Sequence, residues 1–240
     1  MKKYIMFSLF FFLGFYFIPN GFNFGMIPSY AEDPSIIKFA TLAPEGSTWT
    51  NVLRDVDKEI QEKSGGKIRL KIYAGGVSGD EKDVVRKMRI NQIHCAAFTG
   101  VGLGEILSDV RIFDLPFFLK EYKEVDNIRD KFTARFVEKF DEKGYIFLGW
   151  TEVGFVHFYS TVNIKTMDDL RSAKMWMWEG DPLAQALFDA IQLSPIPLSI
   201  TDVVTSLQTG LIQSIYVSPL GIIALQWYPK VKYMLDIPMS

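Results

Sequence analysis

Residues 36–73 read IIKFATLAPEGSTWTNVLRDVDKEIQEKSGGKIRLKIY, and this stretch predicts a strand, a helix and a second strand, in that order. The apolar run at its start is typical of a buried strand. Between residues 48 and 63 the apolar side chains recur with the 3.6-residue period of a helix, which Ser47 can cap and Gly65 can end. Residues 67–73 alternate basic and apolar side chains, which predicts a half-exposed strand. A strand–helix–strand order favours an α/β fold.

The same alternation continues along the chain. Further strands are predicted at residues 93–97, 145–151, 157–161, 174–178, 193–197, 213–217 and 231–237. Thr166 and Asp169 resemble a capping box, and Asp181 stands ahead of a proline as a helix cap. We therefore predict an α/β protein with parallel-rich mixed sheets in two lobes, 36–154 and 155–229, joined by a hinge.

Composition excludes several classes of protein. The 240 residues are 48% hydrophobic and 22% charged, with a formal net charge of −2. This even balance disfavours a nucleic-acid binder that works by neutralising phosphates. The single cysteine, Cys95, has no second cysteine to pair with, and the sequence holds no set of cysteines for zinc. We expect no nucleic-acid partner, no cofactor and no metal.

Residues 1–31 predict a secretory signal peptide. Two lysines precede an apolar run at residues 4–18, and Ser29 and Ala31 place small side chains at the −3 and −1 positions of a cut before Glu32. A run of about 15 residues is short of the roughly 20 that span a bilayer, so a retained membrane anchor is the alternative. We expect a soluble mature protein in the periplasm.

Familiar catalytic motifs, including GxSxG, HExxH and the P-loop lysine, are absent from the sequence. The glycines of residues 99–104 (TGVGLG) have GxGxG spacing, which favours a plain turn over a dinucleotide site. An enzyme on a bilobal scaffold is the alternative function, with Glu152, Glu179 and His157 as its acid–base groups. Solvated loop acids and a packed histidine explain the same three residues without catalysis.

Six segments resemble, in one order, the solute-binding proteins of tripartite ATP-independent periplasmic (TRAP) transporters, the DctP family. They are residues 37–49, 63–68, 74–80 (AGGVSGD), 113–118 (FDLPFF), 168–175 (DDLRSAKM) and 202–210 (DVVTSLQTG). The resemblance implies a periplasmic-binding-protein-like (venus-flytrap) receptor that captures a small organic solute, commonly an organic acid, and delivers it to TRAP membrane subunits. We expect a monomer. Because family members continue past residue 240, the resemblance also implies that residues 230–240 are a strand crossing back to lobe I and that the remainder is missing.

The resemblance places the ligand site at positions where this chain departs from the family. The family's substrate arginine falls on Trp176 and a second arginine on Val156, while a glutamate and an asparagine fall on Val217 and Ser218. Because a dry carboxylate needs a fixed partner, we hypothesise a ligand more apolar than a C4-dicarboxylate, or one that carries its acid elsewhere. The alternative is that Trp176 packs in the core of a site that has decayed or moved. Further cleft candidates from the same comparison are Leu42, Phe98, Thr99, Glu179 and Ile200.

Overall fold

The computed structural model describes residues 33–240, so the predicted signal peptide lies outside the described residues. The strands are β1 Ser35–Ala40, β2 Ile68–Tyr73, β3 Cys95–Ala96, β4 His157–Ser160, β5 Trp176–Trp178, β6 Ile196–Leu198, β7 Ser214–Val217 and β8 Tyr233–Leu235. The α-helices are α1 Thr48–Ser64, α2 Glu81–Arg89, α3 Gly100–Gly104, α4 Tyr122–Glu142, α5 Met167–Ser172, α6 Pro182–Ala190, α7 Val203–Thr209 and α8 Pro219–Ala224. Three 3₁₀ helices cover Ser108–Asp114, Ile200–Asp202 and Tyr228–Lys230.

Local capping signals fix the ends of several helices as predicted. The Ser47 hydroxyl accepts a hydrogen bond from the Thr50 N–H at the start of α1, and Gly65 ends that helix with a φ of 61°. Thr166 and Asp169 form the predicted capping box of α5. Each of these signals depends on atoms within a few residues of one another, so the sequence is sufficient to place them.

The strands form three sheets. β1 lies between β2 and β3, and both pairings are parallel. β4 lies between β7 and β8, and both pairings are antiparallel. β5 pairs with β6 in parallel, and a bridge from Met175 to Ser214 connects this pair to β7. Parallel pairings therefore predominate in a mixed set, as the sequence predicts.

The predicted strand at residues 145–151 is wrong: within residues 33–240 this segment has no strand assignment. Its alternation is real, because Phe147 packs in the cluster around α4 while Ile146 and Leu148 are 85% and 79% exposed. A strand also needs a hydrogen-bonded neighbour, and none of the three described sheets contains this segment. The other predicted strands exist, although the one at 193–197 is shifted to β6.

The last residues contact both predicted lobes. β8 pairs with β4, and the Met239 carbonyl then accepts a hydrogen bond from the Phe117 N–H at 2.6 Å. Val156 and Met239 are also bonded, through the Met239 N–H and the Val156 carbonyl at 2.8 Å. The boundaries of the lobes stay a prediction. No helix within residues 33–240 has the length and apolar character needed to cross a membrane.

One of the two buried clusters of ten residues lies where β5, β7, α7 and α8 meet. Three of its members are the tryptophans Trp176, Trp178 and Trp227, each less than a tenth exposed. A second cluster surrounds α6, and a third packs α4 against the 3₁₀ helix Ser108–Asp114. A cavity opens between the first and third clusters, and the candidate site lies there.

Candidate ligand-binding site

A cavity of about 530 Å³ lies between residues of the two predicted lobes. Eight of the nine residues predicted for the site line it: Leu42, Phe98, Thr99, Val156, Trp176, Ile200, Val217 and Ser218. The ninth, Glu179, is exposed and lies outside the lining. The structure thus brings together side chains up to 176 positions apart in sequence, from Leu42 to Ser218, at a volume suited to a small organic molecule.

Trp176 forms the floor of this cavity. Its ring stacks on Tyr216 with centroids 5.0 Å apart and planes at 22°, and it meets the edge of Trp227 at 5.8 Å. Its Nε1–H donates to the Leu198 carbonyl at 3.0 Å. Only 1% of the residue is exposed. Trp176 therefore determines the shape of the floor and offers a ligand almost no surface for direct contact.

Tyr216 completes this aromatic floor. Its hydroxyl accepts a hydrogen bond from the Trp178 N–H at 3.0 Å. Burial raises the pKa of Tyr216, so the hydroxyl stays neutral. The position that the resemblance assigns to an arginine is therefore filled by a stack of neutral rings.

Ser218 and Val156 have backbone or capping partners as well as a place in the lining. The Ser218 hydroxyl accepts from the Gly221 N–H at 3.0 Å and caps α8. The Val156 N–H donates to the Ser240 carbonyl at 2.8 Å. Ser218 retains a hydroxyl hydrogen that can be donated to a ligand.

Arg111 lines the cavity but was not among the residues predicted for the site. It extends from the 3₁₀ helix Ser108–Asp114 into the cavity lining, where its Nη2 lies 3.0 Å from each carboxylate oxygen of Asp181. Its Nε donates to Asp114 at 2.6 Å. The side chains of Arg111 and Asp181 are 16% and 4% exposed, so this ion pair is nearly buried. Burial raises the pKa of Asp114, and the Arg111 charge opposes that increase.

Residues 99–104 are not the plain turn that the sequence predicted, and their glycines make room for neighbouring side chains. The segment forms the short helix α3, capped by Thr99. A Cβ on Gly100 would overlap the Asp114 carboxylate, one on Gly102 would lie 2.7 Å from a Glu81 oxygen, and one on Gly104 would lie 2.8 Å from Arg111. Each glycine therefore lets one charged side chain pack against the helix.

Glu81 is the most deeply buried acid of the cavity lining, at 2% exposed. Its carboxylate accepts from the Thr99 N–H at 2.8 Å, the Thr99 hydroxyl at 2.7 Å and the Gly102 N–H at 2.7 Å. Burial raises the pKa of Glu81 to about 7, against the opposing effect of these three donors. Glu81 thus fixes the position of Thr99, one of the predicted contact residues.

The three groups of the alternative enzyme are not brought together in the cavity. Glu152 lines it and lies 3.4 Å from Arg129, whereas Glu179 and His157 are outside the lining. The His157 Nδ1 lies 3.0 Å from the Phe155 carbonyl. Within residues 33–240, no three His, Cys, Asp or Glu side chains are grouped so that they could hold a metal ion.

Comparison with known proteins gives one consistent result. A sequence model of the family described as "Bacterial extracellular solute-binding protein, family 7" (DctP) matches residues 39–236. A solute-binding protein of Chromohalobacter salexigens is 29% identical over 162 residues, which are 67% of this chain and 48% of that protein. The chain spans about half the length of the curated relatives that it matches.

Two solved structures share the fold. A TRAP periplasmic solute binding protein from Chromohalobacter salexigens, with bound D-glucuronate, is 25% identical with a TM-score of 0.73, covering 82% of this chain and 66% of that chain. Another from Pseudomonas putida F1, with bound D-glucuronate, is 24% identical with a TM-score of 0.75, covering 85% of this chain and 68% of that chain. These overlaps confirm the predicted two-lobed α/β fold class.

Proposed function

This chain belongs to the DctP family of bacterial extracellular solute-binding proteins, and on that premise we propose that it is the extracytoplasmic receptor of a TRAP-type secondary transporter. The receptor captures a small organic solute in the cleft and delivers it to membrane subunits. The observation that supports this role best is that eight of the nine predicted residues, from both predicted lobes, line one cavity. A cleft between two lobes joined by a hinge suits capture by closure.

The ligand is more apolar than a C4-dicarboxylate, or carries its acid away from Trp176. Relatives of this chain include the C4-dicarboxylate-binding periplasmic protein DctP of Rhodobacter capsulatus, and the two solved structures hold D-glucuronate. In this chain a carboxylate over the stack of Trp176 and Tyr216 would lack the arginine that the family places at position 176, and a buried carboxylate without a fixed partner costs several kcal/mol. Burial of apolar ligand surface contributes about 25 cal/mol per Å² instead.

A ligand screen tests the receptor role and the ligand class together. Mass spectrometry of the purified full-length protein identifies any co-purified solute, and calorimetry then compares it with succinate, malate and D-glucuronate. We expect the more apolar solute to bind tighter, with ligand-induced closure in X-ray scattering and no turnover. Trp176→Ala removes an aromatic ring from the floor, and Trp150→Ala, elsewhere in the lining, is the matched control.

Two results contradict this proposal. Tight succinate or malate binding that Trp176→Ala leaves undiminished would show that the aromatic floor does not select the ligand. Turnover of the bound solute that Glu152→Gln abolishes would favour the enzyme instead.

Export follows from the N-terminal pattern. The protein works in the periplasm as a monomer after cleavage before Glu32, and its TRAP membrane subunits are its partners. N-terminal sequencing of the protein from a periplasmic extract is expected to begin at Glu32. Recovery of the uncut chain in the membrane fraction would instead indicate a retained anchor.

A further inference from the structure

Residues 178–181 (WEGD) follow β5 and are held by side chains from across the predicted lobe boundary. Asp80, Lys82 and Arg111 belong to the first predicted lobe, and all three bond to this segment. We call this set of contacts the WEGD clamp. It lies at the rim of the candidate cavity, because Trp178, Asp181 and Arg111 are also part of the lining.

The Arg111–Asp181 pair is the charged contact of the clamp. Asp181 has a second duty, since its Oδ1 accepts from the Leu183 N–H at 3.0 Å and from the Ala184 N–H at 3.4 Å as the cap of α6. Arg111 therefore connects the first lobe to the start of a lobe II helix. Because both side chains are largely buried, solvent screens their attraction less than it screens a surface pair.

In the clamp, the Asp80 carboxylate accepts hydrogen bonds from uncharged donors. Both of its carboxylate oxygens lie 3.0 Å from the Trp178 Nε1, and it also accepts from the Ser199 hydroxyl at 2.7 Å and the Ile200 N–H at 3.2 Å. One carboxylate of the first lobe thus satisfies three donors of the second. Hydrogen bonds to a charged group contribute more than neutral ones.

Lys82 bonds the middle of the segment. Its Nζ donates to the Gly180 carbonyl at 2.7 Å. Gly180 has a φ of +70°, and a Cβ at this position would overlap the Lys82 ammonium. The left-handed φ favours glycine at this position, whereas the end of the flexible Lys82 side chain can shift away from a Cβ.

We propose that the WEGD clamp supplies part of the free energy that closes the cleft, so that Asp80, Lys82 and Arg111 are positioning residues for ligand capture. This inference rests on the proposed receptor function. The three side chains act by drawing the segment after β5 against the first lobe, which brings the Trp178 wall toward Thr99 and Phe98. Ligand affinity then depends on contacts that no ligand atom makes.

The test measures the distance between lobes in full-length protein without added solute. Spin labels are attached at Lys58→Cys on α1 and Asp168→Cys on α5, two exposed positions, in a Cys95→Ser background. Asp181→Asn removes the negative charge that pairs with Arg111, and asparagine can still cap α6. Lys82→Met is the second variant, because it removes the bond to Gly180 and keeps an unbranched apolar side chain.

The matched control is Asp169→Asn. Asp169 also lies at the start of a helix in lobe II, and Asp169→Asn removes the same charge. The partners of Asp169, however, are the Lys165 and Thr166 N–H groups of its own lobe. We expect each clamp variant to raise the ratio of long to short distances about tenfold or more, which corresponds to about 1.4 kcal/mol, while Asp169→Asn leaves it unchanged.

Two outcomes overturn the clamp. One is a distance distribution in both Asp181→Asn and Lys82→Met that coincides with the parent. The other is an equal increase in Asp169→Asn, which would trace the effect to helix capping. Calorimetry of the parent protein with succinate, malate and D-glucuronate separates the two proposals. If the clamp variants open as expected and the parent binds none of these solutes, the clamp is retained and the receptor function is refuted.

Discussion

Replacing Glu81 with glutamine removes a buried charge and changes the shape of the side chain very little. In the native protein the pKa of this carboxyl is raised from 4.5 to about 7, chiefly by burial. At about 1.4 kcal/mol per pKa unit, this difference corresponds to about 3 kcal/mol of linkage between protonation and folding. Glu81 therefore makes the stability of the protein depend on pH between these two values.

The sign of this dependence follows from proton binding. The folded protein holds the Glu81 proton more tightly than the unfolded chain does, so the contribution is complete below about pH 4.5. It is lost as the pH rises through about 7, where the folded carboxyl gives up its proton. Wild-type protein is thus expected to lose up to about 3 kcal/mol from this group between pH 4.5 and pH 8.

Glutamine removes the titration and introduces a different cost. The Glu81 oxygens face the N–H groups of Thr99 and Gly102, and an amide nitrogen in place of either oxygen meets a donor. One backbone N–H then stays unpaired in the interior, which costs about 1–3 kcal/mol. Glu81→Gln is accordingly less stable than wild type at pH 4.5, and the difference decreases by about 3 kcal/mol toward pH 8.

Urea denaturation of both proteins from pH 4.5 to pH 8 measures this difference, in which the titration of other groups cancels. Asp169→Asn is the control. Hydrogen bonds from Lys165 and Thr166 hold the pKa of Asp169 below its usual value, so its contribution changes only under more acidic conditions. A difference between Glu81→Gln and wild type that is equal at pH 5 and pH 8 would refute the argument that burial dominates at Glu81.

Three further substitutions test single contacts by urea denaturation. Gly100→Ala forces a methyl group into the Asp114 carboxylate and is expected to cost about 1–3 kcal/mol, whereas an unchanged midpoint would show that α3 can shift away. Tyr145→Phe removes a buried hydroxyl that has no partner within the described residues and is expected to stabilise the protein by up to about 1 kcal/mol; a loss of stability would reveal a bond to that hydroxyl. Ser218→Ala removes the cap of α8 and is expected to cost about 1 kcal/mol, while no loss would leave Ser218 with a role in the ligand site alone.

The sequence predicted those parts of the fold that short-range chemistry determines. The Ser47 cap, the Gly65 end and the capping box at Thr166 each join atoms a few residues apart. The segment at 145–151 shows where this reasoning fails. Its alternation describes which side chains are buried, but a strand exists only when a second strand supplies hydrogen bonds, and that partner is not encoded in the segment itself.

The same distinction between local and long-range determinants applies to the candidate site. Eight of the nine positions that the family resemblance supplied lie in the cavity lining, although they are a minority of the residues that form it. The resemblance did not find Arg111. One partner of this side chain, Asp114, is local, but the other, Asp181, is 70 residues away, and no local pattern encodes a buried ion pair over that distance. Glu179, by contrast, was predicted from its place after β5, yet the chain turns at Gly180 and leaves it in solvent.

Three charged side chains of the cavity lining, Glu81, Asp114 and Arg111, pack against α3, and this arrangement explains why the helix is glycine-rich. Gly102 donates its N–H to Glu81, and Gly104 leaves the space that Arg111 occupies. These two glycines lie two positions apart in a helix of five residues. Glu81 and the arginine of the WEGD clamp therefore pack against the same short helix, one at each of these glycines.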